Sequence, residues 1–211
     1  MSHPIVYGDA ISTYVRSVRL ALEEKGVPHD LVAVDLIKGE QKSVGHLARN
    51  PWGKMPAFEH EGHLFYESSA IVRYIDAAFS GPALMPAGAV DCIRVNQVMG
   101  ILDSFGYPAS VTNIFIPRVL VPSLGGETDE AQIAAALPKA ELFLDEIGRL
   151  MASDPYFGGA NVSLADLYVL PVLTYLNATP EGQALINARP KITGWLARMN
   201  ARASVLAVMP A

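Results

Sequence analysis

The chain has 211 residues, enough for one large domain or two small ones, and its 51% of apolar residues can fill a sizeable core. A formal net charge of −5 without any basic run excludes a general nucleic-acid binder, which needs clustered Lys and Arg against phosphates. Cys92 is the single cysteine, which excludes an internal disulfide and a Cys-rich metal site.

No apolar run approaches the roughly 20 residues of a spanning helix. The start is polar with Pro4 close behind, unlike a secretory leader. The expectation is a soluble, cytoplasmic protein without membrane or nucleic-acid partners and without a metal.

Ile5-Val6-Tyr7 is a short β-prone run stopped by Gly8. From Tyr14 to Lys25 the apolar spacing becomes helical, with Val15, Val18 and Leu22 on one face, and Gly26 and Pro28 end it. Leu31 to Val34 is continuously apolar, as expected of a buried parallel strand. Lys38 to Arg49 reads as a polar loop with a short helix. Two short strands follow, Pro56–Phe58 and Leu64–Tyr66, around Glu61-Gly62, and then a helix from Ser68 to Phe79. The order β-α-β-α-β-β-α predicts a small mixed sheet with helices on its faces.

The second part is helical throughout. Residues 81–89, rich in Pro, Gly and Ala, read as a linker between a domain at 1–80 and one at 90–211. Asp91 to Phe105 carries Val98, Leu102 and Phe105 at helical spacing. Thr128 is placed to cap a helix starting near Asp129, which Pro138 would kink or divide. Ser163-Leu164-Ala165-Asp166 is a variant capping box, flanked by Val162 and Leu167 as a hydrophobic staple, and it reads as a folding device. Pro171 is a local fault inside that helix, and Pro190 opens a last one through Ile192, Leu196 and Met199.

Three places can carry chemistry. Met55-Pro56 opens a strand; a cis bond there would turn the Met55 backbone toward an extended peptide ligand. Cis X–Pro bonds are only about 5% of the total, so an ordinary edge-strand proline is the competing reading. Glu67-Ser68 ends a strand and begins a helix, with Ser68 as a good N-cap. The pair suits an α-amino acid, the helix end taking its carboxylate and Glu67 its ammonium; a plain cap is the alternative. Ser12 and Thr13 precede the first helix, where a hydroxyl can donate to an anion such as a thiolate, lowering a thiol pKa from about 8.5.

Together these segments resemble the cytosolic glutathione transferases. The stretch from Val6-Tyr7-Gly8 through Leu20-Ala21-Leu22-Glu23-Glu24-Lys25-Gly26 is similar to the family's start. Asn50-Pro51-Trp52-Gly53-Lys54-Met55-Pro56-Ala57-Phe58 resembles its Asn-Pro-x-Gly-x-x-Pro segment, and Glu67-Ser68-Ser69-Ala70-Ile71 its Glu-Ser-x-Ala-Ile motif. Val162 to Asp166 matches its C-terminal capping motif, and Arg189-Pro190 with Trp195 and Arg198 its closing helix.

The resemblance implies a thioredoxin-like N-terminal domain and an all-α helical-bundle C-terminal domain. It implies an enzyme that activates glutathione, its co-substrate, as a thiolate attacking a small apolar electrophile. A non-catalytic binding or scaffolding module is the alternative, as is a glutathione-dependent peroxidase, dehalogenase or isomerase. Met55 would bind the cysteinyl backbone across a cis Pro56, Glu67 and Ser68 the γ-glutamyl end, and Gln41, Lys42 and Lys54 the glycyl carboxylate. Ser12 matches the activating serine of the serine-type classes, closest to phi-like bacterial members, with Tyr7 as competitor. Gln41 and Lys54 depart from the phi pattern, which has His and Gln there. The electrophile site would use Ile11 and Tyr14 on one wall, and Phe105, Tyr107, Phe115 and Val119 on the other. A homodimer is implied, with Trp52 either keyed into its interface or covering the active-site loop.

Overall fold

The structure, a computed structural model, describes residues 3–209. The outermost positions of the two expected domains, 1–2 and 210–211, lie outside them. One compact unit runs to Leu84 and takes in the chain again from Arg202; the other is Met85–Ala201.

The first unit is a four-stranded sheet ordered β2-β1-β3-β4. Its strands are β1 (Ile5–Tyr7), β2 (Asp30–Val32), β3 (Ala57–His60) and β4 (His63–Phe65). β2 runs parallel to β1 because helix α1 (Thr13–Glu24) crosses over between them, whereas β3 is antiparallel to both β1 and β4. Period-two alternation splits the residues between two faces. Val6 and Phe58 point to the side of α1, where Val15, Val18 and Leu22 are buried. Helix α3 (Ser68–Ala78) packs on α1 and buries Ile71, Val72 and Ile75. The opposite face gathers Tyr7, Val34 and Ala57, with Ile5 and Met55 against them.

β2 differs from the expected buried strand. It is the sheet edge, Val32 is 43% exposed, and only Val34 beyond its end is buried. An apolar run does not say how many neighbours a strand has. The strands also shift by a residue or two from the expected bounds, since Pro56 precedes the ladder that starts at Ala57.

The chain from Arg202 adds helix α10 (Ala203–Val208) to this unit, packed on α1, so the helix at Pro190 is not the last. Arg202 donates to both oxygens of Glu24 at 2.7 and 2.6 Å, and Ser204 Oγ donates to the same carboxylate at 2.5 Å. Burial raises the Glu24 pKa, but these donors outweigh it and hold the carboxyl below its usual value. A depressed acid contributes stability above its unfolded value, lost as pH falls through the folded one. The thermal midpoint is therefore expected to fall as the solution is acidified below about pH 4.5. Glu24→Gln is expected to be less stable at neutral pH and to flatten that acid limb; an unchanged limb would contradict the assignment.

The second unit is all helical. Helix α4 (Ala89–Ile101) leads into a stretch of wider π turns over Leu102–Gly106 and Pro108–Leu120, and a single turn, α5 (Val121–Ser123), closes it. Tyr107 N–H reaches Leu102 C=O and Val121 N–H reaches Ile116 C=O, both five residues back. The expected helix through Phe105 therefore ends as an α-helix at Ile101. Helix α6 (Glu130–Leu150) is continuous across Pro138 and is capped by Asp129, whose Oδ1 accepts from Gln132 N–H at 2.9 Å, not by Thr128. Arg118 ties the wide-turn stretch to Glu130, and to Glu181 of α8 (Pro180–Asn187). Helix α7 (Leu164–Asn177) is buried along almost its whole length and tolerates Pro171 at its centre. Helix α9 (Pro190–Asn200) packs Ile192, Trp195 and Met199 inside the unit.

The capping box is present and extends further than the sequence pattern indicates. The Asp166 carboxylate accepts from Ser163 N–H at 2.8 Å and Ser163 Oγ–H at 2.7 Å. It also accepts from Phe157 N–H at 3.1 Å and Trp195 Nε1–H at 2.7 Å. Burial pushes this carboxyl up from its usual range, against the pull of those donors.

Candidate functional site

The first unit holds three loops that carry residues singled out in the sequence. The loop from Gly8 to Ser12 joins β1 to α1. Ser12 is the N-cap of α1: its Oγ accepts from Val15 N–H at 3.5 Å, and its C=O accepts from Arg16 N–H at 3.0 Å. No partner within the described residues receives the Ser12 hydroxyl hydrogen, so it is free to donate. The N–H groups of the first turn of α1 and its helix dipole bias this spot toward an anion.

Gly8 is needed here by close approach. A Cβ on it would lie 2.4 Å from Val15 Cγ2, in the helix that Ser12 caps, and 3.4 Å from Met55 Cβ. Gly8→Ala is expected to cost about 1–3 kcal/mol through overpacking and to displace the Ser12 turn. Thermal unfolding checks this; a wild-type midpoint would contradict the close approach.

Tyr7, the competing activator, is spoken for. It is buried on the sheet face away from α1, and its hydroxyl donates to Glu59 at 2.7 Å. The Arg49 guanidinium lies 4.2 Å from its ring centroid. Burial, then the Glu59 hydrogen bond and charge, raise its pKa despite Arg49. A phenol whose proton is committed to a carboxylate is a poor donor to a thiolate.

The second loop connects a turn at Glu40–Lys42 and helix α2 (Val44–Leu47) to β3. The Asn50 side chain bridges it, accepting from Trp52 N–H at 3.1 Å and donating to Lys54 C=O at 3.0 Å. His46, buried, also bonds Lys54 C=O through Nε2 at 2.7 Å. Gly53 adopts φ +59°, and a Cβ there would sit 3.3 Å from Gln41 C=O. The loop delivers a cis Met55-Pro56 bond, the reading that the resemblance implied and the general frequency opposed. Met55 N–H and C=O lie outside the ladder, which begins at Ala57, and among the described residues no turn or loop hydrogen bond engages them. Lys42 and Lys54 are exposed; Gln41 is half-buried, and among the described residues its Oε1 has no hydrogen-bond partner.

The third loop carries Glu67-Ser68. Ser68 is the first residue of α3, not its N-cap; Glu67 takes the cap position without a side-chain bond. Glu67 has φ +68° and ψ +103°, sparsely populated for any side chain and of the kind that persists at ligand sites. Its carboxylate is exposed, while its C=O accepts from Ala70 and Ile71 N–H. The Ser68 side chain, largely buried, sits at the open N-terminus of α3. The strained cap is what the sequence could not reveal: a serine beside an acid reads as a cap whichever residue holds the position.

The first two of these loops meet. Asp9 N–H donates to Met55 Sδ at 3.2 Å, which brings the Ser12 loop beside the Met55 loop. Asp9 opens this loop and carried one local signal in the sequence, an acid two residues before Ile11, the spacing of an Asx turn.

The expected electrophile residues divide between the units. Ile11 is exposed in the Ser12 loop, and Tyr14 is half-buried on α1. In the second unit Phe105 is 67% exposed, Tyr107 and Val119 are half-buried, and Phe115 stacks on Tyr175 with centroids 4.1 Å apart. All four lie in or beside the wide π turns, a geometry often found at functional sites. Burial pushes the Tyr107 phenol up. Among the described residues no helix is long and apolar enough to cross a membrane, and no group of His, Cys, Asp and Glu could hold a metal ion.

A thioredoxin-like sheet with a cis proline before β3 and an open helix start after β4, joined in one chain to a helical unit, defines the class. The family model described as "Glutathione S-transferase, N-terminal domain" matches residues 6–83, and "Glutathione S-transferase, C-terminal domain" matches residues 130–198. The chain is 33% identical to glutathione S-transferase F6 of Arabidopsis thaliana over 97% of its length and 98% of that protein. The crystal structure of glutathione transferase F7 from Populus trichocarpa superposes with a TM-score of 0.88 at 31% identity, covering 97% of each chain. Maize glutathione S-transferase I, solved in complex with an atrazine–glutathione conjugate, gives a TM-score of 0.85 at 28% identity, covering 98% of this chain and 96% of that one. This chain belongs to the glutathione S-transferase family.

Proposed function

We propose that this transferase activates glutathione through Ser12 and transfers it to small apolar electrophiles. The observation that carries the reading is the meeting of the Ser12 loop with the Met55 loop through Asp9 N–H and Met55 Sδ at 3.2 Å. It supports a reading in which the Ser12 hydroxyl and the Met55 backbone groups serve one ligand. The cysteinyl backbone of glutathione pairs with Met55 across Pro56, as an added strand would. Its thiol then faces Ser12.

Glu67 takes the γ-glutamyl ammonium, and Ser68 with the first N–H groups of α3 takes the γ-glutamyl carboxylate. Lys42 and Lys54 supply positive charge for the glycyl carboxylate, with Gln41 beside them. The thiol proton leaves to solvent, and Ser12 Oγ–H donates to the thiolate. The sulfur lone pair attacks the electrophilic carbon, and the leaving group departs with its bonding pair. Ile11, Tyr14, Phe105, Tyr107, Phe115 and Val119 are the proposed electrophile contacts. The conjugate in the maize neighbour supports this class of product.

The free hydroxyl of Ser12 and the committed phenol of Tyr7 favour the serine-type reading and a phi-like class. The protein is further proposed to be cytoplasmic and to act as a homodimer, with Trp52, 70% exposed, as an aromatic contact between copies. Wild type is expected to conjugate 1-chloro-2,4-dinitrobenzene with glutathione. Glutathione binding by calorimetry without turnover in a screen including peroxides and disulfides would instead indicate a carrier.

A further inference from the structure

We propose that Asp9 is a positioning residue for the transferase reaction: its carboxylate and backbone fix the loop that presents Ser12. The inference rests on the Ser12 reading above.

Each polar group of Asp9 is engaged in shaping that loop. Oδ1 accepts from Ile11 N–H at 3.1 Å, an Asx turn that bends the chain toward Ser12. Oδ2 accepts from Leu36 N–H at 3.2 Å and so anchors the loop to the segment after β2. Asp9 C=O accepts from Ser12 N–H at 3.0 Å, and Asp9 N–H donates to Met55 Sδ at 3.2 Å. One residue thus holds the Ser12 backbone directly, holds Ile11 beside it, and links both to Met55 and to Leu36. Arg16 Nε donates to Ala10 C=O at 2.9 Å, a further hold on the same loop.

The loop has no regular structure of its own: the ladder residues of β1 end at Tyr7 and α1 begins at Thr13. Without the carboxylate, Ile11 N–H and Leu36 N–H would turn to water, and the Ser12 hydroxyl would sample directions away from the sulfur. Orientation losses of this kind lower a rate without removing any contacting group. The charged side chains near the two anchors are otherwise occupied. Arg16 is turned to Ala10, Lys38 pairs with Asp35 at 2.8 Å, and Glu40 accepts from Asp35 N–H at 2.8 Å.

The test compares Asp9→Ala with Asp9→Asn, alongside wild type and Ser12→Ala. Both Asp9 variants remove the same charge, so any direct effect of that charge on the thiolate is common to them. Only Asn keeps an oxygen for Ile11 N–H. The pH profile of kcat/KM is expected to have its acidic limb about one pH unit higher in Asp9→Ala than in Asp9→Asn. The rate near neutrality should be about tenfold lower in Asp9→Ala, the worth of one hydrogen bond. The KM for glutathione should change little in either, and thermal midpoints identify any general loss of folding. Coincident limbs for the two Asp9 variants, or a lower limb for Asp9→Ala, would overturn the inference. If Ser12→Ala keeps the wild-type limb, the Ser12 reading fails and this inference falls with it. If Ser12→Ala moves while the Asp9 pair coincide, only the role of Asp9 fails.

Discussion

Ser12→Ala is expected to lower kcat/KM for conjugation about a hundredfold at neutral pH, the typical effect of removing one preorganised donor from a developing or stabilised anion. The Oγ accepts from Val15 N–H, and this polarises the hydroxyl for donation. The KM for glutathione should hold nearly constant, because the proposed binding groups at Met55, Lys42, Lys54 and Glu67-Ser68 are untouched. Ser12 has a second duty as the cap of α1, and losing a cap costs about 1 kcal/mol of stability. Ser12→Asp separates the two roles. Its carboxylate can accept from Val15 N–H and keep the cap, yet at neutral pH it donates nothing and repels a thiolate. Activity should therefore be lost in both variants, while the thermal midpoint falls only in Ser12→Ala. Restored activity in Ser12→Asp would mean that the cap, and not the hydroxyl, matters.

The largest effect on stability is expected at Asp166. Its carboxylate, fully buried, receives Trp195 Nε1–H, Phe157 N–H, Ser163 N–H and Ser163 Oγ–H. Asp166→Ala strands those donors in the interior and leaves a void. Each buried unmet donor costs about 1–3 kcal/mol, and the combined loss is expected at about 3–5 kcal/mol after local relaxation. The melting midpoint of the protein should drop by about 10 °C or more. Asp166→Asn keeps Oδ1 for Trp195 and Phe157 but turns an amide toward the Ser163 N–H, so it should fall between. Remaining folded protein should keep its kcat, since none of these residues is among the proposed glutathione or electrophile contacts. A change of less than 1 kcal/mol in Asp166→Ala would contradict the network.

The parts of the fold that the sequence disclosed are those set by nearby residues. Ser163 and Asp166 lie three apart, so their cap could be read directly; Trp195, 29 residues on, could not be joined to it by spacing. Glu24 gave no sign of its partners, because Arg202 and Ser204 follow 178 and 180 residues later. Leu31 to Val34 showed its apolar character but not its place at the sheet edge. The wide turns after Ile101 escaped because apolar spacing cannot distinguish closure over four residues from closure over five. At the site, Met55-Pro56 was legible only through its place in an ordered set of motifs; taken alone, the proline read as an ordinary strand edge. Glu67 concealed its left-handed backbone behind a plausible capping serine. The role of Asp9 was not legible because its contacts to Leu36 and Met55 span 27 and 46 residues.

The most direct measurement is the titration of the glutathione thiol in the binary complex, followed by thiolate absorbance in the ultraviolet. In wild type the thiol should ionise near neutrality, well below the value of about 8.5 typical of a free cysteine thiol. In Ser12→Ala the titration should return toward that value, with glutathione still bound. Ionisation at the free-thiol value in wild type, or identical titrations in the two proteins, would contradict thiol activation by Ser12.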